Sequence, residues 1–118
     1  HSSISHDGKY LITASADNTA KVTVLATGNL LYQIEHTSEV VHSSISPDGI
    51  YLVTVSWDKT TKVTELATGK FLYQFEHSNA VMHSSISPDG IYLVTVSADK
   101  TAKVTELYRT LKDIEDEI

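Results

Sequence analysis

Short runs rich in β-branched and aromatic residues follow one another along most of this chain, with turn residues between them. From position 42 to position 77 the runs read HSSIS, IYLVTVS, TTKVTEL and KFLYQFEH, separated by turn sequences such as Ser-Pro-Asp-Gly and Ala-Thr-Gly. In the last run Phe71, Tyr73 and Phe75 alternate with other residues, which is the period of a strand. The pattern predicts four short antiparallel strands joined by tight turns, and no segment before Tyr108 has helical periodicity.

The four-run pattern recurs with a strict period of 41 residues. The pentapeptide His-Ser-Ser-Ile-Ser begins at His1, His42 and His83. Over 25 positions the second and third copies agree at 23, and the first and second agree at 17. A fixed period of this length is typical of repeat architectures. We therefore predict three copies of one unit, in residues 1–41, 42–82 and 83–107, with the third ending after its third strand.

Side-chain size changes systematically across each unit. The first run carries mostly serine, whereas the fourth run carries Phe71, Leu72, Tyr73 and Phe75. A sheet that lies close to its neighbours at one edge and far from them at the other needs this gradient. Blades that radiate from an axis have that wedge shape, so the pattern favours a β-propeller over a flat solenoid. The predicted fold class is all-β, with about three four-stranded antiparallel blades in an incomplete ring.

The last eleven residues, 108–118, do not continue the repeat. Leu107, Leu111, Ile114 and Ile118 recur at spacings of four, three and four, which is one face of a helix. We expect a short amphipathic C-terminal helix here.

Composition narrows the possible functions. At 118 residues the chain forms at most one domain, and its 41% hydrophobic content is that of a globular protein. It has no cysteine, which excludes disulfides and thiol-ligated zinc. It also has no apolar stretch of membrane-spanning length, and its net charge of −6 does not favour a phosphate backbone. We expect a cytoplasmic protein with no cofactor, whose partner is neither nucleic acid nor a membrane.

The repeat resembles the WD-repeat β-propeller family. The resemblance rests on the order and spacing of His36, Ser46-Pro47-Asp48-Gly49, Ser56-Trp57-Asp58-Lys59-Thr60 and Leu66-Ala67-Thr68-Gly69, repeated from His77 through Asp99 and Thr101. It covers residues 1 to about 107. It implies a scaffold that presents loops to protein partners. The Trp-Asp dipeptide of the family is Thr64-Glu65 here, with Thr23-Val24 and Thr105-Glu106 in the other copies.

The resemblance also implies a hydrogen-bond network within each blade, running from a loop histidine through a strand hydroxyl and a turn aspartate. The aromatic end of that network is missing from this chain. The residues expected to form the remainder are His36, Ser56 and Asp58, then His77, Ser97 and Asp99, and Asp17 in the first copy.

Two kinds of chemical site are suggested by the repeated polar residues. Ser, His and Asp recur in every copy, whereas a catalytic triad is built once in a cleft, so we expect a structural role and no enzymatic activity. His1, His42 and His83 could ring a central axis and bind a metal ion. Carboxylates at ligand spacing do not accompany them, so we expect packing histidines and no metal site.

Differences between near-identical copies point to a binding surface. Trp57 has Ala16 and Ala98 at its equivalent positions, so the blade does not require an aromatic side chain there. Tryptophan is a common anchor of protein interfaces, and loops on a rigid scaffold often carry binding. The candidate partner-binding residues are Trp57, Lys59, Lys100, Ser38, Glu39, Ser78 and Asn79.

Alternatives remain for both function and assembly. Near-identical repeats also fit a ligand-sensing or lectin-like propeller with equivalent pockets between blades, or a sensor segment of a larger multidomain protein. Propellers close with about four to eight blades, so three blades cannot close a ring alone. The chain is expected to be the C-terminal part of a longer propeller, or to form a homodimer that closes a six-bladed ring.

Overall fold

The computed structural model describes residues 1–106 as an all-β fold. Its eleven strands are β1 (Ser2–Ile4), β2 (Tyr10–Ala14), β3 (Thr19–Val24), β4 (Leu30–Glu35), β5 (Val40–Ile45), β6 (Tyr51–Ser56), β7 (Thr60–Glu65), β8 (Phe71–Glu76), β9 (Val81–Ile86), β10 (Tyr92–Ser97) and β11 (Ala102–Glu106). Nothing in this part of the chain is a helix long and apolar enough to cross a membrane. The predicted C-terminal helix at 108–118 lies outside the described residues.

The strands form three antiparallel sheets in simple sequence order. Blade 1 is β1-β2-β3-β4, blade 2 is β5-β6-β7-β8, and blade 3 has β9, β10 and β11. The all-β meander predicted from the sequence is therefore confirmed, with sheets of four, four and three strands. β5 begins at Val40 and β9 at Val81, two residues before the repeat boundaries at 42 and 83.

The turn that joins the first two strands of each blade explains why the repeat keeps its Ser, Asp and Gly. In blade 2 the Ser46 hydroxyl donates to Oδ1 of Asp48 at 2.5 Å, and the same oxygen accepts the Ile50 amide at 3.0 Å. Gly49 follows with φ of +75°, a conformation that residues with a Cβ rarely adopt. Asp89 of blade 3 makes the matching bonds. Each hairpin is thus fixed by local side chains.

Each blade has two apolar faces. We call the side turned toward the next blade in the chain the front face, and the opposite side the back face. Blade 1 packs its front face on the back face of blade 2, and the buried residues there are Ile12, Ala20, Val22, Ile34, Val40, Leu52 and Leu66. Blade 2 repeats this against blade 3 with Val53, Val55, Val63, Val81 and Leu93. The core of the molecule therefore lies between blades.

The first strands of the blades converge. β5 contacts both β1 and β9. Serine hydroxyls meet directly across these strands, with Ser3 Oγ 3.1 Å from Ser43 Oγ and Ser44 Oγ 2.6 Å from Ser84 Oγ. Large side chains such as Phe71 lie exposed on the fourth strands. The inner strands therefore carry small side chains and the outer strands carry large ones, as the size gradient predicts for blades arranged around an axis.

Candidate loop-face interaction site

Two sets of loops come together at one end of the blades, and we call this surface the loop face. It contains the second hairpin turn of each blade, at residues 15–18, 57–59 and 98–101, and the connections between blades at 36–39 and 77–80. Backbone hydrogen bonds join these loops in succession: His36 N to Asn18 O at 2.9 Å, Trp57 N to Glu39 O at 3.0 Å, His77 N to Lys59 O at 2.8 Å and Ala98 N to Ala80 O at 2.8 Å. The loop face is therefore one connected surface across all three blades.

Trp57 lies in the middle of the loop face, in the β6–β7 turn. Its side chain is 44% exposed, although its backbone amide is held by Glu39. The equivalent Ala16 and Ala98 are exposed in the same turn of the other blades. An aromatic side chain at this position is not needed to fill the core, because the alanine copies build the same turn.

Lys59 and Lys100 occupy left-handed backbone positions on this face. Their φ angles are +75° and +69°, and Asn18 has +73° at the same position of blade 1. Asparagine tolerates this conformation, whereas a lysine pays a steric penalty for its Cβ without the compensating local hydrogen bonding of an asparagine. Both lysines therefore occupy positions where the backbone conformation is unfavourable for a lysine.

The other candidate contacts also lie on the loop face, but some of their polar atoms are used within the loops. The Ser78 hydroxyl donates to Asp99 at 2.6 Å, and Asn79 Oδ1 accepts the Ala80 amide at 2.8 Å. Ser38 contributes its carbonyl to the Ser56 hydroxyl at 3.0 Å. The structure brings all seven predicted residues to one surface, where Trp57, Lys59 and Lys100 are exposed.

A buried histidine network supports the loop face from below in blade 2. His36 Nδ1 lies 2.9 Å from Oδ2 of Asp58, and its Nε2 lies 3.0 Å from the hydroxyl of Thr54. Since a carboxylate only accepts, the Nδ1 proton points to Asp58 and Thr54 donates to Nε2 when the ring is neutral. The strand hydroxyl is thus Thr54 and not Ser56, which instead caps the turn by accepting the Asp58 amide at 3.0 Å.

Blade 3 and blade 1 carry looser versions of this network. His77 Nε2 lies 2.7 Å from the Thr95 hydroxyl, and Thr95 again takes the place expected for Ser97. Asp99 accepts hydrogen bonds from the Ser78 and Thr101 hydroxyls. In blade 1, Asp17 accepts from Thr19 and lies 3.5 Å from Lys21.

The electrostatics of the network favour a neutral histidine and an ionised aspartate. Burial lowers the pKa of His36, although Asp58 opposes the shift. The pKa of Asp58 is also lowered, because hydrogen bonds from Thr60 and the Thr37 amide outweigh its burial. Both ring nitrogens of His36 are engaged, so this histidine holds the loop in place and has no free nitrogen to act as a base.

The rings of the three histidines of the repeated pentapeptide contact one another at tilted angles of 44° and 36°. The ring centroid of His42 lies 4.0 Å from that of His1 and 3.9 Å from that of His83. Burial, with His83 and the N-terminal amine, lowers the pKa of His42 to about 4. Within residues 1–106, no group of three or more His, Asp or Glu side chains has an arrangement that could hold a metal ion. The repeat placed these residues at one level of the fold, and the structure brings their rings into tilted contact.

A cavity of about 290 Å³ lies between blades 1 and 2, at the end opposite the loop face. It is lined by Gly8, Lys9, Tyr10, Val24, Ala26, Leu31 and Ala67. One repeat later, Lys9 becomes Ile50 and Val24 becomes Glu65. The equivalent positions one repeat later would therefore give a lining of different chemistry.

Comparison with known proteins agrees with this geometry. The family model described as "WD domain, G-beta repeat" matches residues 2–23, 28–64 and 69–105. No curated protein matches the sequence significantly. The chain is similar to the crystal structure of the RRP9 WD40 repeats and to the structure of U3-55K, each with 24% identity over 92% of this chain and a TM-score of 0.87.

These solved structures are much longer than the present chain, which covers 35% of the first and 36% of the second. At this identity they show a shared fold. The family model, by contrast, covers most of the sequence. Its second and third matched segments each begin with the fourth strand of one blade and continue through the first three strands of the next blade. With its strands, its blade order and its repeat sequence all in agreement, the chain belongs to the WD-repeat family.

Proposed function

We propose that this chain is a non-catalytic scaffold whose loop face, centred on Trp57, binds a protein partner. The observation that carries the proposal is the exposure of Trp57 at a position where the two other blades have alanine. A large aromatic side chain left in solvent is favourable when a partner covers it, and tryptophan is enriched at the energetic centres of interfaces.

The two lysines support the same surface. Lys59 and Lys100 place lysine side chains in turns whose backbone conformation favours asparagine or glycine. Strained residues that persist on a loop are consistent with a functional contact. We therefore propose that the partner segment inserts an apolar side chain beside Trp57 and brings a carboxylate toward the lysines.

The buried network of blade 2 fits a structural scaffold. His36 bonds to Thr54 and to Asp58 and so links the strand to the turn, which supports a structural role for the repeated Ser, Thr, His and Asp residues. The lectin-like alternative needs equivalent pockets in successive blade pairs, and the change from Lys9 to Ile50 weighs against it. The alternative of a sensor segment in a larger protein is supported by one observation: this chain covers about a third of the length of the structures that it matches.

Selection of peptides from a random displayed library, with the 118-residue chain as bait, tests the proposal. Recovered peptides should lose at least about tenfold in affinity on Trp57→Ala, since a hot-spot truncation removes roughly 1.4 kcal/mol or more. Phe71→Ala is the matched control, because Phe71 is another exposed aromatic residue of blade 2 but lies away from the loop face. Peptides that bind Trp57→Ala as well as the original chain would contradict the proposal.

A further inference from the structure

The two ends of the three-blade stack expose faces that are buried elsewhere in the same chain. On the front face of blade 3, Val104 is 68% exposed and Val96 is 40% exposed. Their copies in blade 2, Val63 and Val55, are completely buried against blade 3. The sequence of the first three strands is nearly identical in the two blades. Blade 2 adds Tyr73 and Phe75 of its fourth strand and has a blade beside it, whereas the described part of blade 3 has three strands and no blade on this side.

The opposite end shows the complementary situation. On the back face of blade 1, Ile4 is 58% exposed and Leu25 is 40% exposed. The copy of Leu25 in blade 2 is Leu66, which is buried against blade 1. Exposed apolar groups on a rigid face mark an interaction surface when they form a continuous patch.

These two faces fit each other, because the chain already builds the same contact twice. A front face packs on a back face between blades 1 and 2 and again between blades 2 and 3. We propose that the front face of blade 3 binds the back face of blade 1 in a second copy of this chain, so that two copies close a ring of six blades. This interface is separate from the loop face and does not depend on the function proposed for it.

A ring built from copies of this 118-residue chain alone contains a multiple of three blades. β-Propellers close with about four to eight blades, and six is the one multiple of three in that range. In a two-fold ring of this kind each copy uses each of these two faces once, so both faces become covered. Front-to-front pairing of blade 3 would instead leave Ile4 and Leu25 in solvent.

Light scattering on a sizing column across a concentration series tests the proposal directly. The expected mass is about twice 13.0 kDa. Val104→Asp and Leu25→Asp should each give a monomer, because each charge falls in both copies of the interface. Both side chains are exposed in the single chain, so the variants should retain the far-ultraviolet circular dichroism of the original. Phe71→Asp is the control and should remain a dimer.

Mixing the two variants separates head-to-tail pairing from other arrangements. A mixture of Val104→Asp and Leu25→Asp keeps one unaltered interface, formed by the front face of one variant and the back face of the other. It should recover a dimer at higher concentration, while each variant alone stays at 13.0 kDa. A monomeric original chain, a Leu25→Asp variant that still dimerises, or a ladder of larger masses would each overturn the proposal.

Discussion

At the residue scale, stability depends on which buried hydroxyls find partners. Thr54 and Thr61 are both completely buried in blade 2. The Thr54 hydroxyl bonds to His36, whereas the Thr61 hydroxyl has no hydrogen-bond partner. Both Ala20 and Ala102 occupy the position of Thr61 in the other blades. A buried polar group without a partner is unfavourable, so the same chemical change should have opposite effects at these two sites.

Thr61→Val should therefore raise the free energy of unfolding by about 1 kcal/mol, since it replaces an unpaired buried hydroxyl with a methyl group of similar size. Thr54→Val should lower it by about 1–3 kcal/mol, because His36 Nε2 is left without its donor. Urea unfolding of the two variants measures both effects. A stabilised Thr54→Val would mean that the His36 network is not formed.

The network histidines of blades 2 and 3 should also differ in their contributions to stability. His36 bonds directly to Asp58, which is mostly shielded from solvent. His77 bonds to Thr95, whereas Asp99 accepts its hydrogen bonds from Ser78 and Thr101. We expect His77→Ala to lower the free energy of unfolding by about 1–3 kcal/mol. His36→Ala should lower it by more, because the buried carboxylate of Asp58 then loses its hydrogen bond from the histidine. Equal losses in urea unfolding would show that the Asp58 contact is not stabilising.

At the element scale, the blades are fixed by how their turns meet the neighbouring blade. Gly28 and Gly69 end the same β-turn in blades 1 and 2, with φ of +73° and +78°. A Cβ added at Gly28 meets open space, whereas one at Gly69 would lie 2.8 Å from the ring of Tyr32. The Tyr32 hydroxyl donates to the Leu66 carbonyl at 2.6 Å, so the ring cannot easily move away.

The two glycine variants form a matched pair. Gly28→Ala should lower the free energy of unfolding by about 1–2 kcal/mol, the penalty for a left-handed alanine. Gly69→Ala should cost a further 1–3 kcal/mol or so, because it also overpacks the contact between blades 1 and 2. Thermal unfolding in parallel measures the difference. Equal melting temperatures would mean that Tyr32 does not pack on the Gly69 turn.

At the scale of the whole molecule, the convergence of the first strands brings the rings of His1, His42 and His83 into contact. Burial and the neighbouring His83 hold the pKa of His42 at about 4, below the ordinary value of 6.5. The folded state therefore favours neutral His42, whereas the unfolded chain takes up a proton near its ordinary pKa. The contribution of His42 to stability is complete above about pH 6.5 and is lost as the pH falls from there toward 4.

Acid should therefore weaken the packing of blades 1, 2 and 3 around their inner strands. We expect the urea midpoint of the original chain to fall between pH 7 and pH 4, with a smaller fall for His42→Gln, which removes the titrating ring. Midpoints measured at half-unit steps give both slopes. Identical slopes for the two proteins would show that His42 titrates as freely in the folded chain as in the unfolded one.

The local features of the fold follow from the sequence because they depend on neighbouring residues alone. The period of 41, the strand runs and the Ser-Pro-Asp-Gly turns predict every strand in the described residues, since turn geometry and strand alternation are short-range properties. The place of Trp57, Lys59 and Lys100 in one set of turns follows from the same periodicity. The repeat also predicts that His1, His42 and His83 lie at one level.

The tertiary structure alone decided the contacts between elements. Thr54 and Ser56 are two positions apart on one strand and therefore share a face, so spacing could not tell which of them reaches His36. Val63 and Val104 stand in the same sequence context, yet one is buried and the other exposed, because burial is set by the blade that lies alongside. Sequence determined the blade; the arrangement of blades determined which of its faces remain free to bind.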